Sequence, residues 1–167
     1  MRVSIGSDHH GVAVCHKLTD LIIQLGHKVT VYGPKDEKPE PVDYPDVAGA
    51  VAHEVSTGQA DRGVLICGTG IGMCIAANKF RGVRAATIVD ELTAEISRRH
   101  NDLNVLCLSG DLLSEHAAEQ IVRVWLNTPF DDGRHSRRID KITKFENQQF
   151  SLPEQSGSHP CSRRFRI

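Results

Sequence analysis

Neither sign of charge is in excess in this 167-residue chain: 20 lysines and arginines stand against 21 aspartates and glutamates, a formal net charge of −1. That argues against a module that grips nucleic acid by its phosphates, which needs a clear basic surplus. No apolar run approaches the roughly 20 residues of a membrane span. The opening stretch Met1–His10 goes straight into a strand-like pattern, so a secreted or membrane protein is not expected. Cysteines at C-x-x-C spacing are missing as well. The five present (Cys15, Cys67, Cys74, Cys107, Cys161) are odd in number and unevenly spread. They fit neither a disulfide framework nor a zinc knuckle, and a reducing cytoplasm is the natural setting. Internal repeats are absent too.

What the chain has is the make-up of a folded globular domain, 40% hydrophobic and 25% charged, at a length that suits one core. Short apolar runs alternate with longer helical periods. Arg2–Gly6 reads as a strand, and Val14, Leu18, Leu21, Ile22 and Leu25 then share one helical face closed by Gly26. Lys28–Tyr32 is a second strand. Residues 33–45, with four prolines, form a loop, and Pro45 opens a helix that ends near Gly58. Gly63–Ile66 is a fully apolar strand leading into a helix over Met73–Phe80. Arg84–Val89 and Asn104–Leu108 are the last strands, with a helix over Glu91–Asn101 between them. Ala118, Ile121, Val122 and Trp125 mark another helix, and a final one runs from near Gly133 to about Gln149.

Strands alternating with helices of this length mean βαβ units. The expected architecture is α/β: a three-layer Rossmann-like fold with a five-stranded parallel sheet, helices on both faces and right-handed crossovers. One domain is expected over residues 1–149. The polar stretch 150–167, with two prolines and no periodicity, is read as a tail, flexible by composition and packed, if anywhere, against a partner subunit.

Sheets of this kind bind ligands beyond the carboxyl ends of their strands, and the unusual residues sit there. In Val64–Gly72 a buried strand ends in Cys67 and alternate glycines, Gly68, Gly70 and Gly72, enter a helix. Such glycines let backbone N–H groups converge on an anion and stabilise a thiolate; they also suit a plain tight turn. The Walker pattern fails, since Thr69 and not lysine follows Gly68, and G-x-G-x-x-G is one residue short. A cysteine-phosphatase loop would need arginine where Met73 stands, and no H-E-x-x-H is present. Asp8, His9 and His10 follow the first strand, where they suit a sugar hydroxyl and a phosphate, or Asp8 serves as a helix cap. His100 ends a helix, where a dipole-paired surface histidine is the plainer account. Arg134, His135, Arg137 and Arg138 crowd a helix start, a place for a phosphate or a solvated basic face.

Taken together and in order, Asp8-His9-x-Gly11, Asp43-Tyr44-Pro45, Cys67-Gly68-Thr69-Gly70-Ile71-Gly72, Ala76–Lys79, His100-Asn101-Asp102 and Gly133-Arg134-His135-x-x-Arg138 resemble the ribose-5-phosphate isomerase B family, which includes the galactose-6-phosphate isomerase subunits. The resemblance covers residues 1–148. It implies an aldose–ketose isomerase that interconverts ribose 5-phosphate and ribulose 5-phosphate through a cis-enediolate, with no metal or cofactor, as a homodimer or tetramer whose sites draw on both chains. It makes Cys67 the base, since the glutamate that some members use falls at Met73. Thr69 and the N–H groups of Gly68–Gly72, Ile71 included, would stabilise the enediolate. His100 and Asp8 would open the ring. His9, Arg134 and Arg138 would hold the phosphate, beside His135, and Tyr44 and Asn101 would line the sugar.

One departure stands out: where the family carries an arginine after the last strand, this chain has Asp111. An acid beside a phosphate costs on the order of 1 kcal/mol or more. Either Asp111 turns away or the substrate differs, as a four-carbon, six-carbon or branched sugar phosphate would. His10 is a second variable position that can reshape the pocket. The rival class is a phosphosugar-binding module without catalysis, and a redox-sensing thiol is a third.

Overall fold

The computed structural model describes residues 1–36 and 40–150. The chain runs through β1 (Arg2–Ser7), α1 (Val12–Gln24), β2 (Lys28–Tyr32), α2 (Tyr44–Ser56), β3 (Arg62–Cys67), α3 (Ile71–Ala77), β4 (Ala85–Thr87), α4 (Glu91–Asn101), β5 (Val105–Ser109), α5 (Glu115–Asn127) and α6 (Arg134–Phe150). All five strands are parallel, in the order β2-β1-β3-β5-β4. The three-layer α/β architecture expected from the alternation is therefore present.

Alternation along the strands sorts the core into two layers. Val3, Ile5, Val64, Ile66, Leu106 and Leu108 face α1, α4 and α5, where Leu18, Ile22, Ala94, Ile121 and Trp125 are buried. Leu65, Cys67, Val105 and Cys107 face α2 and α3, against Val47, Val51, Met73 and Ala77. Because β3 is covered on both sides it reads as a continuous apolar run. Arg62, at its start, is drawn under α5: its guanidinium donates to the carbonyls of Trp125 and Leu126 at 2.7 and 3.0 Å and lies 5.1 Å over the indole. Burial, with Arg98 nearby, brings its pKa down to about 10.

Growth of the sheet reverses between β1 and β3: β2 is laid on one side and β3, β5 and β4 on the other. This switch point opens a crevice at the carboxyl ends of the two strands. The N–H of Asp8 bonds the Ile66 carbonyl at 3.1 Å, so the ends of β1 and β3, and with them Asp8 and Cys67, stay side by side.

β1 runs one residue longer than expected, to Ser7, and β3 one longer at each end, over Arg62–Cys67; three other elements differ as well. α3 occupies Ile71–Ala77, not Met73–Phe80, because Asn78 leaves the helix to clasp β4: its amide exchanges two 2.9 Å bonds with the N–H and C=O of Ala85. β4 is cut to Ala85–Thr87, since the Arg84 N–H goes to the Asn104 side chain and the chain turns at Asp90 to cap α4. β5 runs one residue later than expected, ending at Ser109. The expected tail lies, from Ser151 on, outside the described residues, as does Cys161.

α2 seats on the sheet through glycines. A methyl group at Gly6 would lie 2.6 Å from Val47 Cγ1, and one at Gly63 2.8 Å from Val51 Cγ1. Gly6→Ala is therefore expected to destabilise the fold by about 1–3 kcal/mol, the usual cost of overpacking. Urea denaturation checks this, with Val47→Ala added to the same chain: the pair should be less destabilised than the sum of the single changes. Simple additivity would mean that α2 does not seat on Gly6.

Candidate active site

The turn from β3 to α3 is tied down at every step. Gly70 takes a left-handed φ of 77°, and its N–H donates to Cys67 Sγ at 3.2 Å. The Ile71 N–H donates to Thr69 Oγ1 at 3.3 Å, which leaves the threonine O–H to point elsewhere. On the β5 side the Ser109 hydroxyl and the Asp111 N–H both donate to the Gly68 carbonyl, and the Gly110 N–H donates to that of Cys67 at 2.8 Å. The turn is thus more than a tight connection: it fixes a sulfur atom and a free hydroxyl at the end of the central strand.

Those two groups face a cavity of about 330 Å³ whose other walls are Asp8, His9, His10, Val42, Asp43, Tyr44 and Gly72. Asp8 is buried and does not cap α1; Gly11 does, with no side-chain bond. Instead Asp8 Oδ1 accepts the His10 N–H at 2.9 Å, an Asx-type turn that leaves Oδ2 for a ligand. His9 Nδ1 accepts the Val42 N–H at 3.3 Å. The Tyr44 ring lies on α3, where a methyl at Gly72 would sit 2.7 Å from two of its carbons. A larger hollow of about 490 Å³ between α4 and α5 has Glu95, Arg99 and Asp131 in its wall but neither cysteine nor histidine.

Asp111 does not turn away. Its Oδ1 meets His10 Nδ1 at 3.2 Å, and its Oδ2 crowds Gly68, 2.8 Å from where a methyl would be. The β5–α5 turn thereby forms part of the cavity's surroundings, a contact between residues 101 positions apart that no local pattern announces.

The remaining expected residues gather elsewhere. α4 ends at Asp102, whose left-handed φ of 45° closes the helix. Its carboxylate receives Arg84 at 2.7 Å and the buried Arg98 at 2.8 Å. Next to this hub His100 stacks on His135 with ring centroids 4.3 Å apart and planes at 4°. Burial, together with His100, Arg134 and Arg138, pushes the His135 pKa down, and as a neutral ring it accepts from Arg134 Nε at 3.3 Å. None of His100, Asn101, Arg134, His135 and Arg138 lines the Cys67 cavity of the same chain. Gly70 and Ile71 shape the turn, but neither lines the cavity. His10 with Asp111, and the Asp102 hub, are the features that residue patterns missed.

The thiol with a lowered pKa, Cys74, does not line the cavity. A hydrogen bond with Cys107, helped by Thr87 and Asn78, brings the Cys74 pKa down to about 6, while Cys107 goes up. Cys74 packs against the α2–α3 layer of the core. Among the described residues no group of three or more His, Cys, Asp or Glu could hold a metal ion, and no helix is long and apolar enough to cross a membrane.

A thiol, a hydroxyl and a carboxylate around a crevice at the switch point of a parallel sheet are the equipment of an α/β enzyme that moves protons. Residues 3–142 match the ribose/galactose isomerase family. The chain is 38% identical over 148 residues to the ribose-5-phosphate isomerase B of Escherichia coli, covering 89% of this chain and 98% of that protein. It is 36% identical over 149 residues to the D-erythrulose-4-phosphate isomerase of Pectobacterium atrosepticum, covering 89% and 97%. The solved structure of Mycoplasma genitalium ribose-5-phosphate isomerase B with bound ribulose 5-phosphate superposes with a TM-score of 0.84 at 40% identity, over 88% of this chain and 97% of that one. The chain belongs to the ribose/galactose isomerase family. It is a sugar-phosphate aldose–ketose isomerase of the ribose-5-phosphate isomerase B type.

The Asp102 hub generates a stability prediction. Asp102→Asn keeps a residue that tolerates the left-handed turn but removes the charge shared by Arg84 and Arg98. The expected loss is on the order of 2 kcal/mol, less than for a fully buried pair, because Asp102 is 35% exposed and Arg98 keeps the Leu103 carbonyl. Chemical denaturation reads it. A loss of a few tenths would mean that the arginines hold the helix end through carbonyls alone.

Proposed function

We propose that the reaction is the interconversion of ribose 5-phosphate and ribulose 5-phosphate, with Cys67 as the base. The observation that carries this is the Gly70 N–H donated to Cys67 Sγ at 3.2 Å, inside a cavity that also holds Thr69 and Asp8. A thiolate accepts such a bond better than a thiol does. The names of the Escherichia coli and Mycoplasma genitalium relatives support the five-carbon substrate.

In the aldose-to-ketose direction the Cys67 thiolate takes the proton from C2. That bonding pair becomes the C1=C2 double bond, and the carbonyl pair moves onto O1. The Thr69 O–H, with those N–H groups of the 68–72 turn that Cys67 Sγ and Thr69 Oγ1 do not already engage, stabilises the enediolate oxygen. O1 gains a proton as O2 loses one, and the Cys67 thiol returns its proton to C1, which leaves the carbonyl at C2. Asp8 Oδ2 and His100 handle the protons of ring opening. Tyr44 and Asn101 line the sugar, and His9, Arg134, His135 and Arg138 lie at the phosphate end.

This assignment needs two copies of the chain, because His100, Asn101 and the α6 cations do not line the Cys67 cavity of their own chain. A surface for the second copy is available: Ile71 and Ile75 on α3, Leu92 on α4, and Ile142 and Phe145 on α6 are all more than half exposed. A four-carbon substrate is the second reading, favoured by Asp111 beside the cavity and by the D-erythrulose-4-phosphate isomerase among the relatives.

Turnover assays on ribose 5-phosphate and erythrose 4-phosphate in parallel separate the two. Cys67→Ala and Cys67→Ser are expected to lower kcat by about 10²–10⁴-fold, the usual share of a positioned acid–base group, with the thermal melt unchanged. Full activity in either variant removes Cys67 from the base role. Mixing Cys67→Ala with His100→Ala chains, unfolded and refolded together, should restore about a quarter of the parent activity, because half of randomly paired dimers carry one intact site of two. Sites contained within one chain would give none.

A further inference from the structure

A phosphate dianion must find a cation or a strong donor at its site. Among the described residues, the side chains lining the Cys67 cavity include the acids Asp8 and Asp43 but no lysine or arginine. The imidazoles among them are His9 and His10, whose rings lie 4.5 Å apart, and their hydrogen bonds separate them. His9 Nδ1 accepts the Val42 backbone N–H, so that nitrogen carries no proton, and charging the ring would break the bond. His10 Nδ1 faces the Asp111 carboxylate at 3.2 Å. A carboxylate only accepts, so Nδ1 is the donor, and a second proton on Nε2 leaves this bond intact and strengthens it.

We infer that His10, oriented by Asp111, is this chain's own cationic contact to the phosphate of its substrate, with Nε2–H as the donor. The inference deepens the isomerase reading and rests on it for the identity of the ligand. His10 lines the cavity, and its ring stands over the β3–α3 turn, with Cγ 3.8 Å from where a methyl on Gly68 would be. With Nδ1 committed to Asp111, Nε2 is the nitrogen left for a ligand. The groups facing the ring are Asp111 from the β5–α5 turn, the Asp8 carboxylate that holds its backbone N–H, and the His9 ring. Asp111 is thus the orienting counter-ion of the contact, not an acid opposed to the phosphate, and it acts as a positioning residue. Glycine at position 68 follows, because a side chain there would strike the carboxylate.

The test is calorimetric titration of inorganic phosphate into the full chain, which does not depend on turnover. His10→Ala should weaken phosphate binding roughly tenfold, the scale of one charge-assisted hydrogen bond. Asp111→Asn should weaken it several-fold, and Asp111→Glu, which keeps a carboxylate acceptor for Nδ1, should recover most of that loss. Putting Asp111→Arg on the His10→Ala chain should restore binding. Phosphate affinity unchanged by His10→Ala, or no difference between Asp111→Asn and Asp111→Glu, overturns the inference. Failure of the parent to turn over any sugar phosphate would instead count against the isomerase reading, and the calorimetry keeps the two apart.

Discussion

Crowding around the β3–α3 turn is the constraint on which the rest of the site depends. Four other parts of the chain press on its three glycines. Asp111 from the β5–α5 turn comes against Gly68, Thr87 and Leu108 from β4 and β5 against Gly70, and the Tyr44 ring from α2 against Gly72. At Gly70 the demand is double, because φ is 77° and a methyl would meet Thr87 Cγ2 at 3.0 Å and the Leu108 carbonyl at 3.1 Å. Interiors packed to this density relay small displacements. The Cys67 sulfur is held by the Gly70 N–H, so its position is set by strands β4 and β5 as much as by β3.

The same crowding explains what could be read from residue order and what could not. The α/β class was legible because β3 and β5 hold short apolar runs, β1 and β2 carry alternating Val, Ile or Tyr, and most helices keep a periodic apolar face. β4, with three residues, and α3, with seven, were misjudged at their ends because Asn78, Arg84 and Asn104 settle them through side-chain bonds to backbone. The placement of β5 between β3 and β4 was not legible either, since adjacent pairing of consecutive strands is only the commoner outcome. In the site, Asp8, His9, Tyr44, Cys67 and Thr69 announced themselves by sitting at strand ends or in quotable motifs, and the cavity unites them. The His10–Asp111 contact joins residues 101 positions apart and could only be seen in three dimensions.

Ionisation and access are distributed separately among the thiols. Cys74 has the lowered pKa, through Cys107, yet it packs into the α2–α3 layer. Cys67 is buried too, but its residue lines the cavity and its sulfur takes a backbone N–H at the turn. A base for carbon acids needs a substrate within reach before it needs an easy proton, and the role proposed for Cys67 rests on that position.

Charge is partitioned in the same spirit. The Cys67 cavity is rich in acceptors, Asp8 and Asp43 among them, whereas the junction of α4 and α6 gathers His100, Arg134, His135 and Arg138. At that junction the histidine beside the arginines is kept neutral, its Nε2 accepting from Arg134, so the arginines carry the charge. In the cavity the relation is reversed: the histidine beside the acid is the donor. Within one chain and among the described residues, the arginines stand at the junction and not in the cavity. An acidic, sugar-sized cavity and a basic helix start, each with exposed aliphatic side chains nearby on α3 and α6, are complementary surfaces. Charge complementarity fixes register where apolar contact alone would not. On the proposed reading, proton transfer at carbon and most of the grip on the phosphate are divided between these two surfaces, which a second copy would bring together.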